Sequence, residues 1–182
     1  MSSIRKKSAL CNNRSGFTLP EVLVTILLLT AVSALTLSLM LSGSRSWQLN
    51  KTQILLQGEL RKAGEWIKED MRQSGSSGIT NVPANGTWYT TITFQKVTGA
   101  SGGATTWSAQ NYIYALGGTN NTDLRRTDNG VARAIAYYIT VLQFRRQAAT
   151  ANIMEVNLTA QTKTEQGRTI TMTSSFQINL RN

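Results

Sequence analysis

The sequence predicts an α+β protein, a long N-terminal helix followed by an antiparallel β-sheet that packs on the helix's second half. Three observations predict it. Residues 22–41 run for twenty positions without a charge. Leu49, Leu56, Leu60, Ala63, Ile67 and Met71 then recur at spacings of three, four and seven, which marks one apolar stripe of an amphipathic helix. From Trp88 onward apolar and polar residues alternate in short runs, the period of strands.

Composition narrows the function classes. The chain has 182 residues, 41% of them hydrophobic. That suffices for one ordinary domain plus an anchoring segment, and it is too apolar for a disordered chain. There is no histidine and a single cysteine, Cys11. The usual general base, a Ser-His-Asp triad, the usual zinc ligands and an internal disulfide are therefore all missing. No catalytic residue, cofactor or metal site is expected, and the chain does not read as an enzyme. The net charge is +10, but Arg5, Lys6, Lys7 and Arg14 lie in the first sixteen residues, which hold no acid. Without those four the 19 basic residues fall to 15 against nine acids, a net +6. That balance tolerates an acidic partner such as DNA or a membrane surface without demanding one.

The first element is residues 22–41, VLVTILLLTAVSALTLSLML. As a helix it is about 30 Å long, the thickness of a bilayer core. Basic residues precede it, and the next charge after it is Arg45. The positive-inside bias puts Met1 in the cytoplasm and the bulk of the chain outside. A secretory signal has a shorter apolar core. A simple signal anchor accounts for everything except Glu21, because a carboxylate at the head of a spanning helix is costly and calls for a partner.

Ser15-Gly16-Phe17-Thr18-Leu19-Pro20-Glu21-Val22-Leu23-Val24 resembles the type IV prepilin signal. The resemblance implies cleavage by a membrane peptidase between Gly16 and Phe17, followed by N-methylation of Phe17. Glu21 then becomes the fifth residue of the mature chain. Pro20 departs from the leucine or isoleucine common there, yet it suits the first turn of a helix. Cleavage exposes a positive amine on Phe17. In an apolar filament core that amine and the Glu21 carboxylate are each destabilised alone, and pairing them offsets the penalty. The family's partners follow by the same resemblance: other pilin or pseudopilin subunits through the N-terminal helix, the prepilin peptidase and methyltransferase, an inner-membrane assembly platform, and the membrane itself before assembly. The implied location is the bacterial inner membrane, single-pass with the N-terminus cytoplasmic, and then an extracytoplasmic filament.

The helix continues past the apolar run, from about Pro20 to about Gln73. Arg61 and Glu65 lie one turn apart on its polar face, Gly43 and Gly58 bend or loosen it, and Ser74-Gly-Ser-Ser-Gly78 stops it. Expected segments are a leader at 1–16, a membrane or filament-core helix at 17–43, an amphipathic half at 44–74 and a β-rich domain at 75–182. Strands are expected at Trp88 to Phe94, within Trp107 to Leu116, and at Tyr138 to Arg146. Two more alternate at Met154 to Ala160 and Ile170 to Leu180, flanking the loop Thr164-Glu-Gln-Gly-Arg168. A sheet on the amphipathic half-helix would bury both apolar faces, and the whole resembles the pilin fold.

Leu60-Arg61-Lys62-Ala63, Glu69-Asp70-Met71-Arg72-Gln73-Ser74-Gly75, Leu124-Arg125-Arg126, Val131-Ala132-Arg133-Ala134-Ile135-Ala136, Val141-Leu142-Gln143-Phe144 and the terminal Leu180-Arg181-Asn182 resemble the W-type minor pilins and J-type minor pseudopilins. The resemblance implies a minor subunit of a type IV pilus or a type II secretion pseudopilus. The alternative is a tip subunit that binds DNA or a surface, with Arg125, Arg126, Arg133, Arg145, Arg146 and Arg168 as candidate phosphate contacts. Asn120, Asn121, Asp123, Asp128 and Asn129 read as a polar turn with Asn129-Gly130 at its tip rather than a calcium site, since Arg125 and Arg126 repel a cation. Glu65, Glu69 and Asp70 read as solvated ion-pair partners of the surrounding lysines and arginines. Gly102-Gly103 has no Gly-Lys-Ser/Thr after it and is no phosphate loop.

Overall fold

The computed structural model describes residues 16–101 and 104–180. The expected leader up to Ser15, with Cys11, the Gly102-Gly103 pair and Arg181-Asn182 lie outside the described residues. One helix, α1, spans Leu19–Gln73, within a residue of the expected bounds. The chain divides into two compact units, Met1–Arg45 and Ser46–Asn182, and α1 runs through both.

In the second unit α1 buries Leu56, Leu60, Ala63, Gly64, Ile67, Asp70 and Met71. The apolar members are the predicted stripe; Leu49 is half-buried at its start. Each large aliphatic side chain so buried stabilises by about 1.5–3 kcal/mol. The helix ends at Gln73 and a single tight turn follows at Ser76–Gly78. Gly78 cannot carry a side chain there, because a Cβ would lie 2.6 Å from the Trp107 ring.

Among the described residues nine strands follow: β1 (Ile92–Phe94), β2 (Val97–Ser101), β3 (Ala104–Trp107), β4 (Tyr112–Gly117), β5 (Asp123–Asp128), β6 (Val131–Ala136), β7 (Ile139–Gln147), β8 (Thr150–Lys163) and β9 (Thr169–Asn179). They form three antiparallel sheets, ordered β1-β4-β5-β6, β2-β3 and β7-β8-β9. The long strands follow the expected alternation, and the Thr164–Arg168 loop closes with Thr164 N–H to the Arg168 carbonyl at 2.8 Å.

The middle of the chain departs from expectation. The run from Trp88 is a strand only at β1, because Tyr89 instead bridges Phe144 on the edge of β7. The Trp107–Leu116 run is two strands, with Trp107 ending β3 and Tyr112 opening β4. The stretch read as a polar turn is mostly β5. Its Asn129-Gly130 tip is a two-residue hairpin turn to β6 with φ of 49° and 79°, the pairing that matches strand twist. Asp123 and Asp128 sit at opposite ends of β5, so their oxygens do not converge.

Asp70 overturns its own reading as a solvated ion-pair partner. It is 2% exposed and bonds across the chain rather than along the helix. Lys96 Nζ lies 2.7 Å from Oδ1, Arg126 Nε donates to Oδ2 at 2.7 Å, and the Tyr114 hydroxyl donates to Oδ2 at 2.7 Å. The Tyr112 ring lies against both cations, 4.9 Å from Lys96 and 4.8 Å from Arg126. Phe94 stacks on Tyr112 and Tyr114 with centroids 5.6 and 5.9 Å apart. Burial, with the Asp70 charge behind it, pushes the Tyr114 phenol above the tyrosine range. Burial pulls the Arg126 guanidinium down, but its hydrogen bond to Asp70 and the carboxylate charge outweigh that and hold it above its ordinary value.

Removing one partner of a buried pair strands the others, at a cost of about 3–5 kcal/mol. Asp70→Ala is therefore expected to lower unfolding stability by about 3 kcal/mol or more, while Glu69→Ala, one residue away and exposed, changes it by about 0.5 kcal/mol or less. Denaturant titration of both variants checks this, and equal effects would refute the Asp70 junction. Tyr114 also sets a pH dependence. Its folded-state value is raised, so its contribution is fully present below the unfolded tyrosine value of about 10 and is lost as pH rises above it. Above pH 10 the stability of Tyr114→Phe should fall less steeply than that of the parent, by about one proton's worth of slope.

Candidate functional site

The candidate site is the head of α1. Gly16, Phe17 and Thr18 precede the helix outside regular secondary structure and are exposed, Phe17 at 78%. The first helical hydrogen bond runs from Val22 N–H to the Thr18 carbonyl at 3.1 Å. Thr18 thus occupies the cap position, with Leu19, Pro20 and Glu21 as the first three helical residues. Pro20 stands where the helix has no use for its missing N–H.

Glu21 turns back toward the helix start, its Oε2 3.5 Å from the Thr18 N–H. The contact is long, but it is the reciprocal half of a capping box, Thr-x-x-Glu. The residues were legible in Thr18-Leu19-Pro20-Glu21, and sequence reasoning missed them because it weighed Glu21 only as a membrane charge. The carboxylate also meets the positive end of the helix dipole. It therefore lies one residue from the amine that cleavage after Gly16 would create on Phe17.

Beyond Glu21 the helix is apolar on every side. Its large side chains between Val22 and Leu41 are all exposed, with Leu29 at 68% and Leu39 at 74%. So many bare aliphatic groups require a cover of lipid or protein. Four of the five hydroxyls in the run bond back to a carbonyl of the preceding turn. Thr25 donates to the Glu21 carbonyl at 2.5 Å, Thr30 to Leu27 at 2.9 Å, Ser33 to Leu29 at 2.8 Å and Thr36 to Val32 at 2.8 Å. A hydroxyl bonded to the preceding turn needs no water, which suits a segment surrounded by hydrocarbon. The segment is long and apolar enough to cross a membrane.

The other candidates disperse. Arg126 is engaged by Asp70 and Asp128. Arg145 forks onto Glu155 with its guanidinium 4.3 Å from the Trp88 ring centroid. Arg146 is buried on the Ala151 and Val82 carbonyls at 2.8 and 3.3 Å, and burial pushes it below its ordinary value. Arg133 is exposed, directly across from Arg126, in a groove of about 740 Å³ shared with Trp66 and Tyr137. Arg168 is exposed in the β8–β9 loop. The structure does not bring the six arginines to one face. Glu65 pairs with Lys68 at 3.4 Å on the helix surface. Glu59, not singled out in the sequence, accepts the Tyr137 N–H at 2.8 Å and ties the end of β6 to α1.

Residues 11–37 match the family model described as the prokaryotic N-terminal methylation motif. The matched window holds Gly16, Phe17, Glu21 and the first turns of the apolar helix. The N-terminal segment therefore carries a prepilin-type methylation signal, and the α+β architecture is pilin-like. No curated protein and no solved structure matches the chain.

A membrane role for this helix makes one expectation plain. Val32→Lys places a charge in the middle of the apolar run and should disfavour insertion by about 3 kcal/mol. The alkali-extractable fraction of the protein in membranes measures this. An unchanged fraction would show that the run is not membrane-embedded.

Proposed function

We propose that the chain is a minor structural subunit of a type IV pilus or a type II secretion pseudopilus. Prepilin peptidase cuts it after Gly16, Phe17 is N-methylated, and the mature chain assembles through its N-terminal helix. One observation carries this reading. The first half of α1, with apolar side chains bare all round, bears a single carboxylate, Glu21, within a turn of the Gly16-Phe17 pair inside the methylation motif. Once withdrawn from lipid, the bare aliphatic groups drive the helices together, while Glu21 opposes any packing that leaves it unpaired. The amine of Phe17, in the same subunit or the next, is the cation that removes that penalty, and the requirement favours one axial register. The helix inserts with its N-terminus in the cytoplasm, and the β-rich part lies outside. The minor-subunit assignment draws on the W-type and J-type segments around Leu60–Gly75 and Leu124–Phe144. The binding-subunit alternative is less favoured, because Arg126, Arg145 and Arg146 already have internal partners.

Mass spectrometry of the mature chain tests the processing. The expected N-terminus is Phe17 carrying one extra methyl, and an uncut chain refutes it. Glu21→Ala should leave cleavage intact but sharply reduce incorporation into sheared filaments, because the Phe17 amine loses its partner. Assembly equal to the parent would show that Glu21 sits solvated with no role.

A further inference from the structure

A sheet must do something with its last strand, because unpaired N–H and C=O groups invite another chain unless they are covered, charged or bent away. This protein covers two of its edges. Along β1, Ile79 bridges Phe94, Thr80 N–H donates to the Thr93 carbonyl at 3.0 Å, and the Asn81 side chain holds Thr91 and Thr93. Along β7, Tyr89 and Phe144 exchange two backbone hydrogen bonds of 2.8 Å, and Gly86 N–H reaches the Arg146 carbonyl. The β6 edge is short and carries Arg133.

The β9 edge has none of these protections. It is eleven residues long and contains no charged residue and no proline. It pairs with β8 through eleven successive partners without a bulge. Among the described residues no backbone hydrogen bond covers its outer side. A groove of about 310 Å³ lies between this strand and α1, walled by Gln57, Arg61 and Lys68 on the helix and by Met172 and Phe176 on the strand. Gly64 brings helix and strand together, since a Cβ there would already touch the Phe176 ring at 3.4 Å. An open strand beside a helix wall is the geometry in which an extended peptide adds as a further strand, with main-chain bonds supplying affinity and the wall supplying selectivity.

We propose that the outer edge of β9 is a strand-acceptor site, filled in the assembled filament by an extended segment of a neighbouring, non-identical subunit. The proposal rests on the filament reading above. A second copy cannot fill it by pairing its own β9 there. Pairing β9 with β9 antiparallel about a two-fold axis makes the same surfaces meet. It also reverses the half-helix from 46 to 73 between the two copies, whereas chains anchored by one N-terminal helix in one membrane run the same way. The wall identifies the incoming strand further. Lys68 is paired with Glu65, but Arg61 has no carboxylate within ion-pair distance among the described residues. The incoming strand therefore carries an acidic residue that meets Arg61.

The test places a photo-crosslinking residue at Thr173 in the full-length chain, in the cells that make it, and separately at Leu28 in the apolar helix. The expected Thr173 adduct joins β9 to a strand of a different chain that bears its own Gly-Phe prepilin-type signal. Arg61→Glu should lower its yield about fivefold or more, the scale of losing one partly shielded ion pair and gaining a repulsion. Arg61→Lys should retain most of it, and neither exposed substitution threatens the fold. An adduct with a second copy of this chain, or with a protein lacking the signal, overturns the proposal. So does a yield indifferent to Arg61→Glu. No Thr173 adduct beside a persistent Leu28 adduct to other subunits overturns the edge site and leaves the filament reading standing. Absence of both overturns that reading, and the edge site with it.

Discussion

The globular unit depends on one buried carboxylate. Asp70 reaches from α1 to Lys96 just after β1, to Tyr114 on β4 and to Arg126 on β5. A helix laid on strands by apolar contact alone could slide or rotate with little change in buried area, because the hydrophobic effect has no direction. Three donors on two oxygens do have direction. They select one rotation and one height of the helix, since any other leaves a charge buried without a partner. The aromatic stack of Phe94, Tyr112 and Tyr114 excludes water around the junction and lies against both cations. Both the apolar stripe of α1 and the order of the first sheet are set relative to this point.

The other half of α1 solves a different problem with the same backbone. Between Val22 and Leu41 it offers its surroundings aliphatic groups and five hydroxyls, four of them already bonded to the preceding turn. Such a surface is compatible with lipid and with other helices like itself, and it places few demands on specificity. Glu21 sits at one end of this surface and the amphipathic half begins at the other. A helix in hydrocarbon gains little from hydrophobic association with its neighbours, which is why the proposed assembly assigns register to the one carboxylate rather than to the leucines.

Not all of the fold was legible in the residues. The bounds of α1 followed from an uncharged run, a three-four spacing and a Gly-Ser stop. The last two strands followed from alternation, and β7 from the apolar run around Ile139 and Val141. β5 and β6 did not, because Leu124-Arg125-Arg126-Thr127-Asp128 buries only one residue and shows no clean period. Their strand character comes from backbone pairing around Asn129-Gly130, and only that turn was readable. Trp88, Thr90, Ile92 and Phe94 fall on alternate positions as in a strand, yet within that run Tyr89 pairs with Phe144, some fifty-five positions away. Asp70 misled for a related reason. It lies among Lys68, Glu69 and Arg72, and its neighbours in sequence are not its partners.

By itself the sequence determined what depends on local periodicity and on chemistry borne by adjacent residues. These are the long two-part helix, its termini, the terminal hairpin, and the signal of Gly16, Phe17 and Glu21 with its apolar continuation. Only the tertiary structure decided which strands share a sheet, that Asp70 is buried, that the arginines disperse, and that β9 is left open while β1 and β7 are covered. The physical reason is range. Helical spacing and turn chemistry act over a few residues, whereas ion pairing, edge coverage and burial depend on groups brought together from distant parts of the chain, which no local pattern records.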